Sequence, residues 1–132
     1  MTLLRIHAKG MVFGVFDNFH PGHEYFLTEA AKLCEELTVV VTPSLVVRLL
    51  KKADPKNSFD VRLAAICKYN VRYNVVQGDE TLGSWTILQK YSPDIVILGY
   101  DQSGLAEELA RRDVPYVTLP AHYPEKYKSS LY

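Results

Sequence analysis

A short apolar run, residues 11–13, passes through Gly14 into a turn and then into His20-Pro21-Gly22-His23, where a helical pattern starts. Residues 11–16 read as a strand whose two faces are both covered. A strand, a glycine-bearing turn and a helix start in this order direct backbone N–H groups and the positive end of a helix dipole into one small space. The stretch therefore predicts an anion site with two imidazoles as hydrogen-bond donors.

Strand and helix patterns alternate along the rest of the chain, which predicts an α/β fold with a parallel sheet, right-handed crossovers and helices on both faces. Apolar residues recur at helical spacing between runs rich in β-branched residues. The predicted strands are 11–16, 37–42, 71–77, 95–98 and 116–119, and the predicted helices are 23–35, 44–52, 58–69, 84–91 and one around 105–110.

In such sheets the ligand lies beyond the carboxyl ends of the strands, where the strand order reverses. The first strand runs into the stretch 14–23, so the two histidines are expected at this edge of the sheet. The same edge should carry the segments that follow the other strands. These begin at Thr42, Gly78, Gly99 and Pro120.

The composition limits the class of partner. The chain has 132 residues, the size of one domain, and its 15 basic and 15 acidic side chains cancel. No whole-chain field therefore attracts nucleic acid or an anionic membrane, and no apolar run is long enough to span a bilayer. Cys34 and Cys67 fall within predicted helices without metal-ligand spacing, which favours buried thiols in a cytoplasmic protein.

Two familiar phosphate loops are absent, namely the P-loop and the three-glycine dinucleotide fingerprint. What remains is the pair His20 and His23, with Gly22 between them to let a ligand approach the backbone. An alternative interpretation is that the two histidines only cap the helix or lie partly buried. Their pairing, and their position at the ligand edge of the sheet, favour the phosphate interpretation.

At this point the sequence resembles a known family. Gly14-Val15-Phe16-Asp17 followed by His20-Pro21-Gly22-His23 is similar to the signature of the cytidylyltransferase-like nucleotidyltransferases, and the resemblance covers almost the whole chain. The segment 93–102 resembles the fourth-strand segment of archaeal-type FAD synthases and their relatives. Arg62 matches an arginine common in the family, and Lys128-Ser129-Ser130-Leu131 resembles a shortened second signature.

The resemblance implies a Rossmann-like, doubly wound, five-stranded parallel sheet of order 3-2-1-4-5 in one domain, 1–132. Residues 1–10 would form an N-terminal extension, and the tail 120–132 would carry the second phosphate-binding motif. It also implies that a phosphate oxygen of an acceptor attacks the α-phosphorus of a nucleoside triphosphate, ATP or CTP, and that pyrophosphate leaves. Mg²⁺ would arrive with the triphosphate, and we expect no protein site dedicated to a metal.

The implied site residues divide by role. His20 and His23 would be catalytic, by hydrogen bonding to the reacting phosphates, while Ser129 and Ser130 would hold the β- and γ-phosphates. Asp101 would face the sugar or base of the nucleotide. The remaining nucleotide contacts would come from Gly14, Val15, Phe16 and Gly22, and further phosphate or acceptor contacts from Asp17, Lys51, Lys52, Arg62 and Lys128.

Some assignments leave alternatives open. Lys51 and Lys52 belong to the basic cluster 48–56, which is either a phosphate clamp or a solvated helix face. Asp17 either fixes the turn or meets the second substrate. Trp85 is expected in the core. Val15 stands where the family often has Thr or Ser, and the basic residue of the second signature has no single match.

The favoured function is an FAD-synthase-like transfer of AMP from ATP to FMN. One alternative is a CTP-dependent transfer to a small phosphate such as glycerol 3-phosphate. The other is a nucleotide-binding module without turnover, which the short tail and the missing basic residue suggest. The expected partners are small-molecule substrates, together with a second copy of the chain in a homodimer.

Overall fold

The computed structural model describes residues 6–120. In this range the sheet has five parallel strands in the order β3-β2-β1-β4-β5, which confirms the predicted fold class and strand order. The strands are β1 (His7–Gly14), β2 (Cys34–Val41), β3 (Asn74–Gln77), β4 (Ile95–Leu98) and β5 (Tyr116–Thr118). The helices are α1 (Pro21–Ala31), α2 (Ser44–Lys51), α3 (Phe59–Tyr69), α4 (Thr86–Tyr91) and α5 (Ser103–Arg111).

Successive residues of a strand point to opposite faces of the sheet, and here both faces are buried in apolar clusters. Val12 packs in one apolar cluster with Leu27 of α1 and Ile66 of α3. Its neighbour Met11 packs in the other cluster, with Leu109 of α5. All five of these apolar side chains are fully buried. The prediction of helices on both faces is therefore confirmed.

The central strand begins earlier than the sequence predicted. β1 starts at His7, which pairs with Cys34 of β2, so residues 7–10 are not an N-terminal extension. The sequence pattern did not predict this early start, because the amino half of β1 has an exposed polar residue, Lys9, and contains Gly10. A Cβ on Gly10 would lie 2.6 Å from Sγ of Cys34, so the missing side chain is what lets the two strands pack here.

Cys34 lies in β2 and not in a helix, which corrects another expectation. Its Sγ lies 3.7 Å from the carbonyl oxygen of Ala30, so it continues the apolar face of α1 beyond the helix end and imitates helical spacing. Cys67 does lie in a helix, α3, but it is only partly buried. The strand β3 begins at Asn74, three residues later than expected, and α4 begins at Thr86, two residues later.

Candidate active site

The loop after β1 is shaped by the last residue of the strand, Gly14. A Cβ there would lie 2.7 Å from the ring of Phe16, which folds back over the strand end with φ of 52°. The backbone N–H and the hydroxyl of Thr42 both donate to the carbonyl oxygen of Gly14, at 3.0 and 3.1 Å. Glycine is required here because the chain turns away from the sheet with an aromatic ring packed directly on its backbone.

The two histidines cap helix α1 in a reciprocal pair. Nδ1 of His20, the N-cap residue, accepts the backbone N–H of Gly22 at 3.0 Å. Nδ1 of His23 accepts the backbone N–H of His20 at 3.3 Å. Both Nδ1 atoms are therefore acceptors, which puts the proton of each neutral imidazole on Nε2. Pro21 fits the first helical position because that position needs no N–H donor.

The same rings are held close together and partly shielded from water. Their centroids lie 3.8 Å apart in a stacked arrangement, and Phe19 also stacks with His23, with 5.6 Å between centroids. Burial lowers the pKa of His23 to about 3; His20 and Lys51 also lower it, and Asp17 raises it. Burial likewise lowers the pKa of His20, against an opposing effect of Glu24. At neutral pH the pair is therefore uncharged.

The capping hydrogen bonds do not use the Nε2 atom of His20. It is buried and, among the residues that the structure describes, has no hydrogen-bond partner. A buried N–H without an acceptor is costly, so such an atom calls for an acceptor that binds there. His20 and His23 both line the cleft described below, where a phosphate oxygen could accept this bond.

Asp17 fixes the turn, one of its two predicted roles. Its carboxylate accepts the backbone N–H groups of Lys56 and Asn57 at 2.7 and 2.8 Å, and Oδ1 of Asn57 accepts the N–H of Asn18 at 3.0 Å. Burial raises the pKa of Asp17, but these backbone hydrogen bonds and the charge of Arg62 outweigh burial and hold it below the usual value. The loop after β1 is thereby joined to the loop before α3.

Arg62 lies beneath this junction and is 1% exposed. Its guanidinium donates to the carbonyl oxygens of Val15, Thr42 and Asn57 at 3.0, 2.7 and 3.1 Å. A fourth bond of 3.0 Å reaches Oγ of Ser44. The structure thus uses this arginine to hold together three loops around the site, whereas the sequence suggested a direct phosphate or acceptor contact.

On the other side of β1, Gln102 joins two strand ends. Its Oε1 accepts the backbone N–H of Gly99 at 2.8 Å, and its Nε2 donates to the carbonyl oxygen of Phe13 at 2.9 Å. Phe13 lies near the carboxyl end of β1 and Gly99 follows β4, so this amide spans the point where the strand order reverses. Asp101, also in this turn, is exposed at the cleft.

The carboxyl ends of the strands surround a cleft of about 940 Å³. That volume is at the upper end of the range of roughly 300–1,000 Å³ for small-molecule sites. Its lining includes the histidine pair and residues 13–18. The segments that follow β4 and β5 contribute residues from 99–108 with Leu119 and Pro120. From β2, β3 and the segments that follow them come Val40, Thr42, Pro43, Val46, Leu50, Lys51 and residues from 78–87.

The structure brings most of the predicted site residues together at this cleft. Lys51 lines it, whereas Lys52 lies outside it at the exposed C-cap of α2. Arg62 is buried behind the cleft, as described above. Lys128, Ser129 and Ser130 lie outside the described residues. The predicted residues that line the cleft are Gly14, Val15, Phe16, Asp17, His20, Gly22, His23, Lys51 and Asp101.

Sequence reasoning did not single out one residue of the site, Gln102. A polar side chain in the turn after Gly99, at the end of a buried strand, was the available signal. Lys56, a member of the predicted basic cluster 48–56, also lines the cleft. Trp85 was expected in the core; it does pack against Phe13 there, but it also lines the cleft.

Within residues 6–120, no three His, Cys, Asp or Glu side chains converge as they would around a metal ion. Within the same residues, no helix has both the length and the apolar character needed to cross a membrane.

Comparison with known proteins identifies relatives over most of the chain. The sequence model of the family described as cytidylyltransferase-like matches residues 11–131. A curated protein named FAD synthase from Thermococcus sibiricus is 34% identical over 122 residues, which is 89% of this chain and 81% of that protein. Another FAD synthase, from Methanosarcina barkeri, is 39% identical over 106 residues, or 77% of this chain and 74% of that protein.

Solved structures with similar folds include a lipopolysaccharide core biosynthesis protein from Thermoplasma volcanium. It superposes with a TM-score of 0.72 and 29% identity, over 87% of this chain and 96% of that one. A NadR protein in complex with NAD and AMP-PNP superposes with a TM-score of 0.62, over 98% of this chain and 42% of that one. At 15% identity, the second likeness concerns the fold alone.

Proposed function

Since the chain belongs to the cytidylyltransferase-like family and is a nucleotidyltransferase, we propose that it transfers AMP from ATP to FMN and so forms FAD and pyrophosphate. The observation that carries this proposal is the identity of 30–39% to curated FAD synthases over most of the chain. The cleft supports it, because it is large enough for two substrates and has the histidine pair at its centre.

The reaction needs little covalent work from the protein. A phosphate oxygen of FMN forms a bond to the α-phosphorus of ATP, the bond from that phosphorus to the bridging α–β oxygen breaks, and pyrophosphate leaves with the electron pair. Negative charge therefore moves toward the leaving group. Donors that are already aimed at this charge lower the barrier because they need no reorganisation during the reaction.

We assign the donor role to the Nε2–H groups of His20 and His23. The capping bonds occupy both Nδ1 atoms, so each ring is held in one tautomer and one orientation before substrate arrives. The rings are neutral because burial and their mutual stacking disfavour the cation. They would thus act by hydrogen bonding and not by donating a proton to pyrophosphate.

The other parts of the donor site follow from the family. We propose that Gly14, Val15, Phe16, Gly22 and Asp101 contact the nucleotide, because all five line the cleft. We propose that Ser129 and Ser130 hold the β- and γ-phosphates with Lys128 nearby; the family match supports this because it extends to residue 131. Mg²⁺ is proposed as part of the ATP substrate, and no resident metal site is proposed.

We propose that the enzyme works in the cytoplasm, where ATP and FMN are available and its thiols stay reduced. A homodimer is also proposed; Leu45 and Leu49 of α2, which are 53% and 56% exposed, are the residues to test. Sedimentation of the wild type beside Leu49→Glu would detect a dimer that uses this helix.

The proposed function is tested by pairing two triphosphates with two acceptors. Purified protein with Mg²⁺ is given ATP or CTP and either FMN or glycerol 3-phosphate, and pyrophosphate and the coupled product are measured. We expect FAD from ATP and FMN alone. Product from CTP and glycerol 3-phosphate would instead support the cytidylyl alternative. Tight ATP binding without pyrophosphate from either acceptor would support the module without turnover.

A matched variant assigns any activity to the site. His20→Asn with His23→Asn removes both Nε2 donors, and Asn at the N-cap position keeps an acceptor for the helix. We expect FAD formation to be lost while ATP still binds. Turnover at the wild-type rate in this variant would contradict the catalytic assignment of the pair.

A further inference from the structure

Two parts of the chain contribute different chemistry to the cleft. The turn 99–102 presents the carboxylate of Asp101, whereas the amide of Gln102 is already bonded to Gly99 and Phe13. The segments that follow β2 and β3 contribute several apolar residues. We call these residues the apolar arm, and its members are Pro43, Val46, Leu50, Leu82, Trp85 and Ile87.

We propose that the apolar arm binds the isoalloxazine ring of FMN and that Trp85 is the aromatic wall against which that ring packs. This inference rests on the proposed function and adds to it the place and the specificity-determining residue of the acceptor. Leu50 and Leu82 are 55% and 52% exposed although they line a cleft, so the arm has open apolar surface suited to a flat, uncharged ring.

The backbone of Trp85 supports the assignment. Its φ of 54° and ψ of 25° lie in the left-handed region, which a bulky side chain rarely adopts and which glycine adopts without strain. Such a conformation persists only where the surroundings hold it, and it is found most often at functional sites. Here it positions the indole ring, edge-to-face with Phe13 and 5.8 Å between centroids, at the cleft.

The segment that presents Trp85 is fixed at its two ends. Oδ2 of Asp79 accepts the backbone N–H of Ile87 at 3.2 Å, and its Oδ1 accepts the hydroxyl of Thr86. Asp79 follows β3 and Ile87 begins the buried face of α4, so the intervening residues form a loop closed by one carboxylate. The position of the indole ring is therefore determined before any ligand binds.

The charges next to the arm suit the other end of FMN. Lys51 follows Leu50 in α2 and also lines the cleft. His20 and His23 line the same cleft. A ligand whose ring lies in the arm would thus have its phosphate near Lys51 and the histidines. The segments that follow β4 and β5, with Asp101, would then be left for the adenosine of ATP.

Two substitutions of Trp85 test the role of its ring. Trp85→Ala removes the indole, and Trp85→Gly removes it while fitting the left-handed backbone. In both we expect the KM for FMN to rise about tenfold with the KM for ATP changed less than twofold, because aromatic stacking acts only on the flavin. Trp85→Phe should recover most of the affinity for FMN. Thermal unfolding of each variant reports whether it is folded.

Riboflavin separates the ring from the phosphate. It carries the isoalloxazine without the phosphate, so it should compete with FMN in the wild type, and its inhibition constant should rise in Trp85→Ala by the same factor as the KM. Leu82→Ala should weaken both ligands about threefold, as expected for the loss of a few apolar contacts. The control Val71→Ala, at a residue 87% exposed and outside the cleft, should change neither.

The outcomes distinguish this inference from the proposed function. If the wild type forms FAD but folded Trp85→Ala and Trp85→Gly keep the wild-type KM for FMN, the flavin assignment is overturned and the proposed function stands. If the wild type forms no FAD, the flavin assignment falls together with the proposed function. A rise in the KM for ATP with that for FMN unchanged would assign the arm to the nucleotide instead.

Discussion

The imidazole rings of His20 and His23 stack with their centroids 3.8 Å apart, and each uses its Nδ1 atom to accept a backbone N–H at the start of α1. In each ring, Nδ1 thus stabilises the start of the helix, and Nε2 can still bind a ligand. Capping and phosphate binding, which the sequence presents as alternatives, are compatible here because they use different atoms.

His20→Asn should separate these two uses. Asparagine is a favoured N-cap residue, so its side-chain oxygen can replace Nδ1, while its amide N–H group is on a shorter side chain and does not reach the position of Nε2. Loss of one such donor to a reacting phosphate should lower kcat by about 10²–10³-fold. The free energy of unfolding, measured in urea, should stay within about 1 kcal/mol of the wild type.

His20→Ala is the matched control, since it lacks both the cap and the donor. It should show the same loss of kcat and an additional loss of stability of about 1 kcal/mol. If His20→Asn keeps the wild-type kcat, the Nε2 atom has no part in catalysis.

Stability should fall in mild acid because of His23. Its pKa is about 3 in the folded chain and near 6.5 when unfolded, so between these values only the unfolded chain binds the proton. The free energy of unfolding should therefore decrease as pH falls below 6.5, by about 1.4 kcal/mol per pH unit from this residue, and should not depend on it above pH 7.5. The lowered pKa of His20 acts in the same direction.

Urea unfolding at pH 7.5, 6.5, 5.5 and 4.5 measures this slope. His23→Gln does not titrate in this range and should show a shallower dependence, although it is less stable at pH 7.5. Equal slopes for the two proteins would show that His23 is not the group responsible.

The sequence predicts the sheet because that information is local. β-branched runs and helical spacing identify the elements, and their alternation predicts a parallel sheet, while the strand order follows from the family resemblance. Its errors lie at element ends, where tertiary contacts decide. Cys34 extends the helical spacing of α1 into β2, and Gly10 interrupts the pattern of β1 although its strand pairing continues.

The site is predicted less completely, for a physical reason. Arg62 is recognised as functional by its type and position, but its partners are carbonyl oxygens of loops that meet only in the folded chain. Asp17 likewise meets Lys56 and Asn57, about 40 residues further along the chain. A single sequence reveals the residue types that bind phosphate, but not whether their hydrogen bonds are already used by the backbone.

Arg62→Lys should therefore affect stability before it affects substrate binding. A lysine keeps the charge but cannot reach the carbonyl oxygens of Val15, Thr42 and Asn57 together, so buried acceptors lose their donors. The expected loss is about 2–4 kcal/mol in the free energy of unfolding. Arg48→Lys, at an exposed residue paired with Asp54, should cost less than about 0.5 kcal/mol.

The free energy of unfolding and the KM values of the Arg62→Lys variant distinguish a structural role from a direct phosphate contact. A folded Arg62→Lys protein with wild-type stability and a KM for either substrate raised tenfold or more would restore the direct phosphate contact that the sequence suggested.

Gln102→Glu should lower activity without unfolding the chain. The new carboxylate can still accept the N–H of Gly99, but it cannot donate to the carbonyl oxygen of Phe13, and it places a negative charge against that oxygen. The ends of β1 and β4 should then separate at the centre of the site. Because small displacements of reacting groups are costly, kcat should fall about 10–100-fold with little change in either KM.

Gln89→Glu, an exposed change on α4, is the control and should leave kcat unchanged. A kcat within twofold of wild type in folded Gln102→Glu would mean that this amide does not position the site.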